Sequence, residues 1–265
     1  MINILFIGDI NGKPGRAAVK ALLPGLIREM DIHFTVANAE NASGGFGITK
    51  ETFDELISCG INAVTMGNHT WDNKDIFKFI DSEPRLLRPF NLPSGNPGRG
   101  FGVFSIDGRP EKVGVISLNG RVFMNGNDDP FRAAEKAVNE IRLATPIIVT
   151  DMHAEATSEK QAMGFFLDGR VSLVAGTHTH VQTSDERILE KGTAFITDAG
   201  MTGPFDSVIG VEKDIILRRF LTGLPEKFEI AKNDVRINAV AVSVDEKDGK
   251  AVSVKRLELR HEASR

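Results

Sequence analysis

The first 67 residues alternate apolar runs with amphipathic stretches, and this order constrains the fold more than any other feature of the chain. The runs at 2–8, 33–38 and 61–67 have the length and apolar composition of buried strands. Between them, 15–30 and 49–60 carry the spacing of apolar residues that is typical of helices. Strand–helix–strand order of this kind predicts right-handed βαβ units and a mostly parallel sheet.

The rest of the chain continues the alternation of predicted strands and helices and adds antiparallel strands. It contains predicted helices at 129–144 and 157–169, predicted strands at 146–154, 171–176 and 193–200, an antiparallel pair around a turn at 108–110, and a C-terminal hairpin over 235–260. No repeat, low-complexity tract or linker divides the 265 residues. We therefore predict one α/β domain, residues 1–265, with two sheets.

Composition excludes several classes of protein. The net charge is −4 and the isoelectric point is about 5.9, which disfavours binding to duplex nucleic acid. No stretch approaches the ~18 apolar residues of a membrane span. The N-terminus has neither the basic region nor the cleavage site of a signal peptide, so we expect a cytoplasmic protein. A homo-oligomer is compatible with the sequence.

Polar residues follow the predicted strands at several points. They are Asp9, Glu40, Asn41, Asn68, His153, His178 and His180. Each alone is ordinary, since a strand-end carboxylate or amide is usually a turn former and a loop histidine is usually structural or exposed. In open α/β sheets, however, ligands bind at the carboxyl ends of the strands, where these residues would meet.

The segment "GTHTH" at 176–180 favours a metal site. In an extended segment, His178 and His180 would point to one side, about 6.5–7 Å apart, and could reach two neighbouring ions. Carboxylate and imidazole ligands without thiolate suit Mn, Fe, Zn or Co. Because the set exceeds what one ion needs, we expect two divalent ions about 3.5–4 Å apart, bridged by a carboxylate.

A second motif, "GDINGK" at 8–13, has the appearance of a phosphate-binding loop. It is one residue short of the required spacing, and Pro14 stands where a Ser or Thr should bind magnesium. A nucleoside triphosphatase is therefore disfavoured.

Six segments in chain order resemble the YmdB-like branch of the calcineurin-like metallophosphoesterases. They are LFIGDINGKPGR, NAENASGGFGIT, MGNHTWD, TDMHAEATSEK, AGTHTHVQTSDERIL and GTAFITDAGMTGP. The resemblance runs from the first strand to about Pro204. It implies a four-layer α/β sandwich, with two mixed β-sheets flanked by helices, and a binuclear metal centre.

The resemblance also implies roles for individual residues. The superfamily usually opens with Asp-x-His, whereas this chain has Asn11 at the third position, which we interpret as a turn residue. Glu40 stands where a bridging Asp is usual, and the adjacent Asn41 looks like the substitute ligand. The implied ligand sets are Asp9, Glu40, Asn41 and His180 for one metal and Glu40, Asn68, His153 and His178 for the other.

His69 follows Asn68, and the resemblance implies that it faces the substrate as a general acid or transition-state stabiliser. Adjacent extended residues point in different directions, so His69 would not share the metals with Asn68. Its neighbour Asp72 would cap the next helix or orient this imidazole. The implied reaction is phosphoester hydrolysis by a metal-bridging hydroxide, and family members act on cyclic nucleotides, notably 2′,3′-cyclic ones. Fe or Mn is the first expectation for the metals, with Zn or Co as alternatives.

Two other functions remain open from the sequence. One is a binuclear amidohydrolase, although no Lys or Glu is placed as its bridging group. The other is a regulatory or RNA-associated binding protein whose metal site is structural. We expect the substrate pocket to be lined by the loops at 88–102 and 120–130. The glycines at 44–47 and 200–204 either cap the site or form plain turns.

Overall fold

The strands form two mixed sheets. The computed structural model describes residues 1–124 and 126–262. Its strands are β1 (Ile2–Ile7), β2 (Asp9–Ile10), β3 (Phe34–Asn38), β4 (Ala63–Thr65), β5 (Leu86–Leu87), β6 (Phe101–Ser105), β7 (Lys112–Asn119), β8 (Ile148–His153), β9 (Leu173–Thr177), β10 (Arg187–Ile188), β11 (Ala194–Ile196), β12 (Met201–Pro204), β13 (Val235–Val244) and β14 (Ala251–Arg260). The first sheet has the order β2-β12-β13-β1-β3-β4-β5, with β14 also paired to β13, and the second has the order β10-β11-β9-β8-β7-β6.

The helices lie between the strands, and all but the last in the chain connect parallel strands, as the sequence predicts. They are α1 (Gly12–Glu29), α2 (Lys50–Ser58), α3 (Pro130–Ile141), α4 (Thr157–Leu167), α5 (Lys213–Thr222) and a 3-10 turn, η1 (Lys74–Lys78). β1, β3 and β4 are parallel neighbours, and so are β7, β8 and β9. None of the helices among the described residues combines the length and apolar character needed to cross a bilayer.

Alternation along the strands builds four layers. In β1, Ile4 and Phe6 face the second sheet, whereas Leu5 and Ile7 face α1 and α2, because successive side chains point to opposite faces. A third cluster joins the outer face of the second sheet to α3 and α4. The order helices, sheet, sheet, helices confirms the predicted four-layer α/β fold.

Local chemistry explains most of the element boundaries. Thr49 caps α2 through a capping box, in which its hydroxyl accepts from the Thr52 amide at 3.2 Å. α1 starts three residues earlier than predicted, with Asn11 at its N-cap, and runs through Pro24 to Glu29. α4 starts after Ala156 without a side-chain cap.

Six of the elements were not predicted, namely β2, β5, β10, β12, η1 and α5. β12 contains Gly203 and Pro204, which disfavour strands, yet it pairs in parallel with β2 and fixes the turn that carries Asp9. In α5 only Ile216 is buried, so the helix lacks the amphipathic contrast that identifies a helix from sequence.

Candidate metal centre and active site

Five strand ends from both sheets converge at one edge of the sandwich. Asp9 follows β1, Glu40 and Asn41 follow β3, Asn68 follows β4, His153 ends β8, and His178 and His180 follow β9. All seven predicted ligands therefore lie in one connected cluster, and His69 stands beside it.

His153 lies at the centre of the cluster. Its Nε2 lies 3.0 Å from Glu40 Oε1, 2.9 Å from Asn68 Oδ1 and 3.1 Å from His178 Nδ1. Ligand atoms of Glu40, His153 and His178 all lie within 4.8 Å of one another. Three donors this close have the arrangement that a metal ion requires.

A second group of donors surrounds Asp9 on the other side of Glu40. Asp9 Oδ2 accepts a hydrogen bond from the His178 amide at 3.0 Å, and Oδ1 lies 4.0 Å from His180 Nε2. The same Nε2 lies 3.2 Å from Asn41 Nδ2, which is 3.5 Å from Glu40 Oε1. Glu40 thus touches both groups, as a bridging carboxylate would.

The electrostatics of the cluster show a shortage of positive charge. Asp9 is fully buried and its Oδ1 has no hydrogen-bond partner, so burial raises the pKa of this carboxyl to about 6. Burial also opposes ionisation of Glu40, but the neighbouring His153 outweighs it and lowers the Glu40 pKa to about 2. An orphaned, buried carboxylate oxygen among imidazoles is well matched to a divalent cation, which would supply the missing charge. The residues present therefore suit a metal.

The two imidazoles at the centre have opposite shifts. For His153, burial disfavours the charged form, but Glu40 outweighs burial and raises the pKa to about 9. For His178, burial and the neighbouring His153 together lower the pKa to about 3. Without a cation, the protonated His153 ring would supply positive charge that offsets Glu40.

Gly67 makes room for the cluster at the end of β4. A Cβ at this position would lie 2.3 Å from His153 Cδ2 and 2.5 Å from Glu40 Oε2. Any larger residue would therefore displace both side chains. This contact explains why Asn68 is preceded by glycine.

Hydrogen bonds behind His153 fix its ring. Nδ1 lies 2.9 Å from the Thr177 hydroxyl, which donates to Asp151 Oδ1 at 2.6 Å. Asn38 donates to the other oxygen of this buried carboxylate at 2.9 Å. Partners of this kind set the tautomer and orientation of metal-binding histidines, and they leave Nε2 directed at the cluster.

The "GTHTH" loop is held by a buried ion pair. His178 and His180 both have left-handed backbone conformations, with φ of 95° and 65°. Thr179, between them, donates its amide to Asp198 Oδ2 at 3.2 Å and also binds this carboxylate through its hydroxyl. Lys160 Nζ pairs with the same oxygen at 2.8 Å, and both charged side chains are 1% exposed. The extended geometry assumed from the sequence is therefore wrong here, although both histidines still reach the cluster.

His69 is placed differently from the other histidines. Its amide donates to Glu40 Oε2 at 2.9 Å, while its ring Nδ1 lies 2.7 Å from Asp72 Oδ2. Asp72 therefore orients the imidazole, one of its two predicted roles, and Asn73 caps η1 instead. Because Asp72 engages Nδ1, Nε2 is the nitrogen that can act on a bound molecule.

A cavity of about 270 Å³ opens beside His69, His178 and His180. Its lining also includes Asn11, Glu40, Asn41, Gly44, Gly45, Phe46, Ile209, Val211, Phe228 and Ile230. The glycine-rich loop at 44–47 thus contributes to the site, whereas the 200–204 segment is mostly β12.

The expected pocket loops lie elsewhere. No described residue of 88–102 or 120–130 lines this cavity. The first of these loops instead folds around Arg88, whose guanidinium donates to the carbonyl oxygens of Pro89, Asn96 and Pro97. That prediction is therefore wrong, because the loop satisfies its own carbonyls instead of reaching the site.

The family of the chain follows from comparison with known proteins. A model of the YmdB-like protein family matches residues 5–257, nearly the whole chain. The chain belongs to this family. A relative from Bacillus subtilis, named 2′,3′-cyclic-nucleotide 2′-phosphodiesterase, is 48% identical over 256 residues, which cover 97% of this chain and 96% of the relative.

Solved structures agree with the YmdB-like assignment. A crystal structure described as a novel phosphatase from Mycoplasma pneumoniae superposes with a TM-score of 0.91 at 34% identity, covering 98% of this chain and 93% of the other. A 5′-nucleotidase from Candida albicans has a TM-score of 0.56 at 12% identity, covering 98% of this chain and 52% of its own. The latter similarity concerns the fold alone.

Several supporting residues of this YmdB-like site were not found by sequence reasoning. They are Asn38, Asp151, Lys160, Thr177, Thr179 and Asp198. A partial signal existed for Asp151 and Thr177, since each lies within three residues of a predicted ligand in a buried strand. The Lys160–Asp198 pair gave none, because the two residues are 38 positions apart and each alone resembles a surface charge.

Proposed function

We propose that this chain is a metal-dependent phosphodiesterase that hydrolyses nucleoside 2′,3′-cyclic phosphates. The observation that carries the proposal is the position of Glu40. This buried carboxylate contacts both groups of donors through Oε1. Its other oxygen, Oε2, accepts a hydrogen bond from the amide of His69, and His69 lines the adjoining cavity. The name of the Bacillus subtilis relative supports the cyclic nucleotide as substrate.

The residues that would hold the metals follow the two groups of donors. Asp9, Glu40, Asn41 and His180 would bind one ion, and Glu40, Asn68, His153 and His178 would bind the other. Bound divalent cations would supply Lewis acidity, both to phosphoryl oxygens and to attacking water. Oxygen and imidazole donors without thiolate suit Fe, Mn, Zn or Co, and the resemblance to the family makes Fe or Mn our first proposal.

The protein's own groups would position the substrate and move the proton. His69 Nε2 would donate a proton to the departing ribose 2′ oxygen, while Asp72 holds Nδ1 in the required tautomer. Loss of the 2′ oxygen from phosphorus would leave a nucleoside 3′-phosphate. The cavity beside His69 would admit the substrate from solvent.

The alternative of a binding protein with a structural metal has less support. Structural metal sites are closed by protein ligands, whereas this cluster adjoins a cavity lined by His69, which such a site would not need. Neither a duplex nucleic acid nor a membrane is part of the proposal. We propose that the enzyme is cytoplasmic. That it forms a homo-oligomer stays a prediction.

Hydrolysis of bis-p-nitrophenyl phosphate tests the proposal. Protein loaded with Mn²⁺ should release p-nitrophenol, and metal-stripped protein should not.

Glu40→Gln should lower both metal content and turnover, because a neutral amide bridges two cations poorly. The matched control is Glu190→Gln at an exposed position. Full activity of Glu40→Gln with two tightly bound ions would contradict the bridging role, and metal binding without turnover in the unsubstituted protein would favour the structural alternative.

A further inference from the structure

The cavity beside the candidate metal centre has two unlike walls. Glu40, Asn41 and three histidines form the polar wall. The apolar wall consists of five side chains, namely Phe46, Ile209, Val211, Phe228 and Ile230. A ligand that is anionic at one end and flat and apolar at the other would complement both walls.

The glycine-rich loop brings one aromatic ring to the cavity. Gly44, Gly45 and Gly47 have φ of 67°, 94° and 70°, values that favour glycine. A Cβ on Gly45 would lie 2.7 Å from Ile230 Cδ1, so this residue lets the loop close against the opposite segment. Phe46, between these glycines, is 42% exposed and packs edge-on against His69, with ring centroids 5.0 Å apart.

A second pair of segments supports the other aromatic ring. Val211 and Ile230 form an antiparallel bridge, and the Ala231 amide donates to the Gly210 carbonyl at 3.0 Å. The guanidinium of Arg219, in α5, lies 4.9 Å from the ring of Phe228. Arg219 therefore helps to hold the ring of Phe228, which lines the cavity.

We propose that the apolar wall is a nucleobase subsite, with Phe228 and Phe46 as its stacking surfaces. This inference rests on the proposed function, because it places the cyclic phosphate at the polar wall beside His69. The five apolar side chains carry no hydrogen-bonding group, so they would recognise the face of a base rather than its edge. The subsite therefore distinguishes substrates with a base from those without one and accepts purines and pyrimidines alike.

Comparison of two five-membered cyclic phosphates tests the subsite. The substrates are 2′,3′-cyclic AMP and glycerol 1,2-cyclic phosphate, which lacks a base. The measured quantity is the kcat/KM for 2′,3′-cyclic AMP divided by the kcat/KM for glycerol 1,2-cyclic phosphate. Phe228→Ala should lower this ratio by about 5- to 150-fold, because it removes the stacking of the base on an aromatic side chain. Most of the loss should appear as a higher KM for the nucleotide. Phe228→Trp should preserve the ratio, because it keeps an aromatic face.

Phe220→Ala is the matched control. Phe220 lies in α5 of the same segment and is 81% exposed, away from the cavity lining. This variant should leave the ratio unchanged. An unchanged ratio in Phe228→Ala, or equal losses on both substrates, would overturn the subsite while leaving the phosphodiesterase intact. Failure of the unsubstituted, metal-loaded protein to hydrolyse either substrate would instead overturn the proposed function.

Discussion

His69 differs from the neighbouring histidines in one decisive respect, which is what its ring contacts. The ring binds Asp72 and packs against Phe46, whereas His153 and His178 contact each other and His153 also contacts the Glu40 carboxylate. A side chain that is held outside the donor groups and beside the cavity is suited to proton transfer rather than to metal binding.

Substitution of His69 should separate these two roles. His69→Ala should retain both metals and lower kcat by roughly 10²- to 10⁴-fold, the usual contribution of a general acid. Asp72→Asn should retain the metals too and lower kcat less, because it weakens the orientation of the ring but leaves the proton donor. Elemental analysis and steady-state kinetics on the same preparations measure both effects. Loss of metal from His69→Ala would show that His69 is a ligand.

Metal binding should release protons in a pH-dependent number. In the metal-free protein the raised pKa of His153, about 9, keeps its ring protonated at pH 7, and the raised pKa of Asp9, about 6, keeps its carboxyl protonated at pH 5. A ligand must be deprotonated, so binding should release the His153 proton at pH 7 and, in addition, the Asp9 proton at pH 5. Affinity should therefore weaken as the pH falls below about 9, and more steeply below about 6.

Calorimetric titration with Mn²⁺, in buffers of different ionisation enthalpy, measures this proton release. His178 adds nothing to the count, because its pKa is lowered to about 3 and the ring is already neutral at both pH values. Equal proton release at pH 5 and pH 7 would contradict the raised pKa of Asp9.

At the scale of the element, the loop after β9 carries two of the predicted ligands, His178 and His180, in a left-handed backbone. Such conformations cost free energy in residues other than glycine, so the surrounding structure must hold them. Asp198 does so by accepting the amide and hydroxyl of Thr179, and Lys160 neutralises this buried carboxylate.

Removing the ion pair should affect stability and metal affinity separately. Lys160→Met leaves a buried carboxylate unpaired and should destabilise the protein by about 3–5 kcal/mol. The double variant Lys160→Met/Asp198→Leu removes both charges and should recover much of that stability in urea unfolding. Its metal affinity should stay reduced, because Thr179 has lost its anchor. Recovery of both stability and metal affinity would mean that the ion pair contributes packing volume and does not anchor the loop.

At the scale of the whole molecule, the sequence predicted the donor groups better than the cavity. Asp9 and Glu40 could be placed together because β1 and β3 are parallel neighbours in one sheet and end at the same edge. His153 ends a strand of the second sheet, so its place beside them depends on how the two sheets pack. The walls of the cavity could not be placed, since Phe46 and Phe228 come from distant segments whose approach depends on the glycine loop and on the bridge at Val211. Tertiary contacts of this kind leave no periodic signal in the sequence.

The loops and short elements show the same limit of prediction from sequence. β12 exists because β2 and β13 pair with it, in spite of its Gly and Pro. The 88–102 loop turns away because Arg88 binds its carbonyls. In each case a long-range partner, rather than local propensity, decides the structure.

The central claim is that this site hydrolyses a cyclic nucleotide with the aid of bound metal. Its most direct test is product analysis after incubation with 2′,3′-cyclic AMP, comparing Mn²⁺-loaded and metal-stripped protein. We expect that only the loaded protein converts the substrate, and that the product is adenosine 3′-phosphate. An unconverted substrate, or equal conversion by the stripped protein, would contradict it.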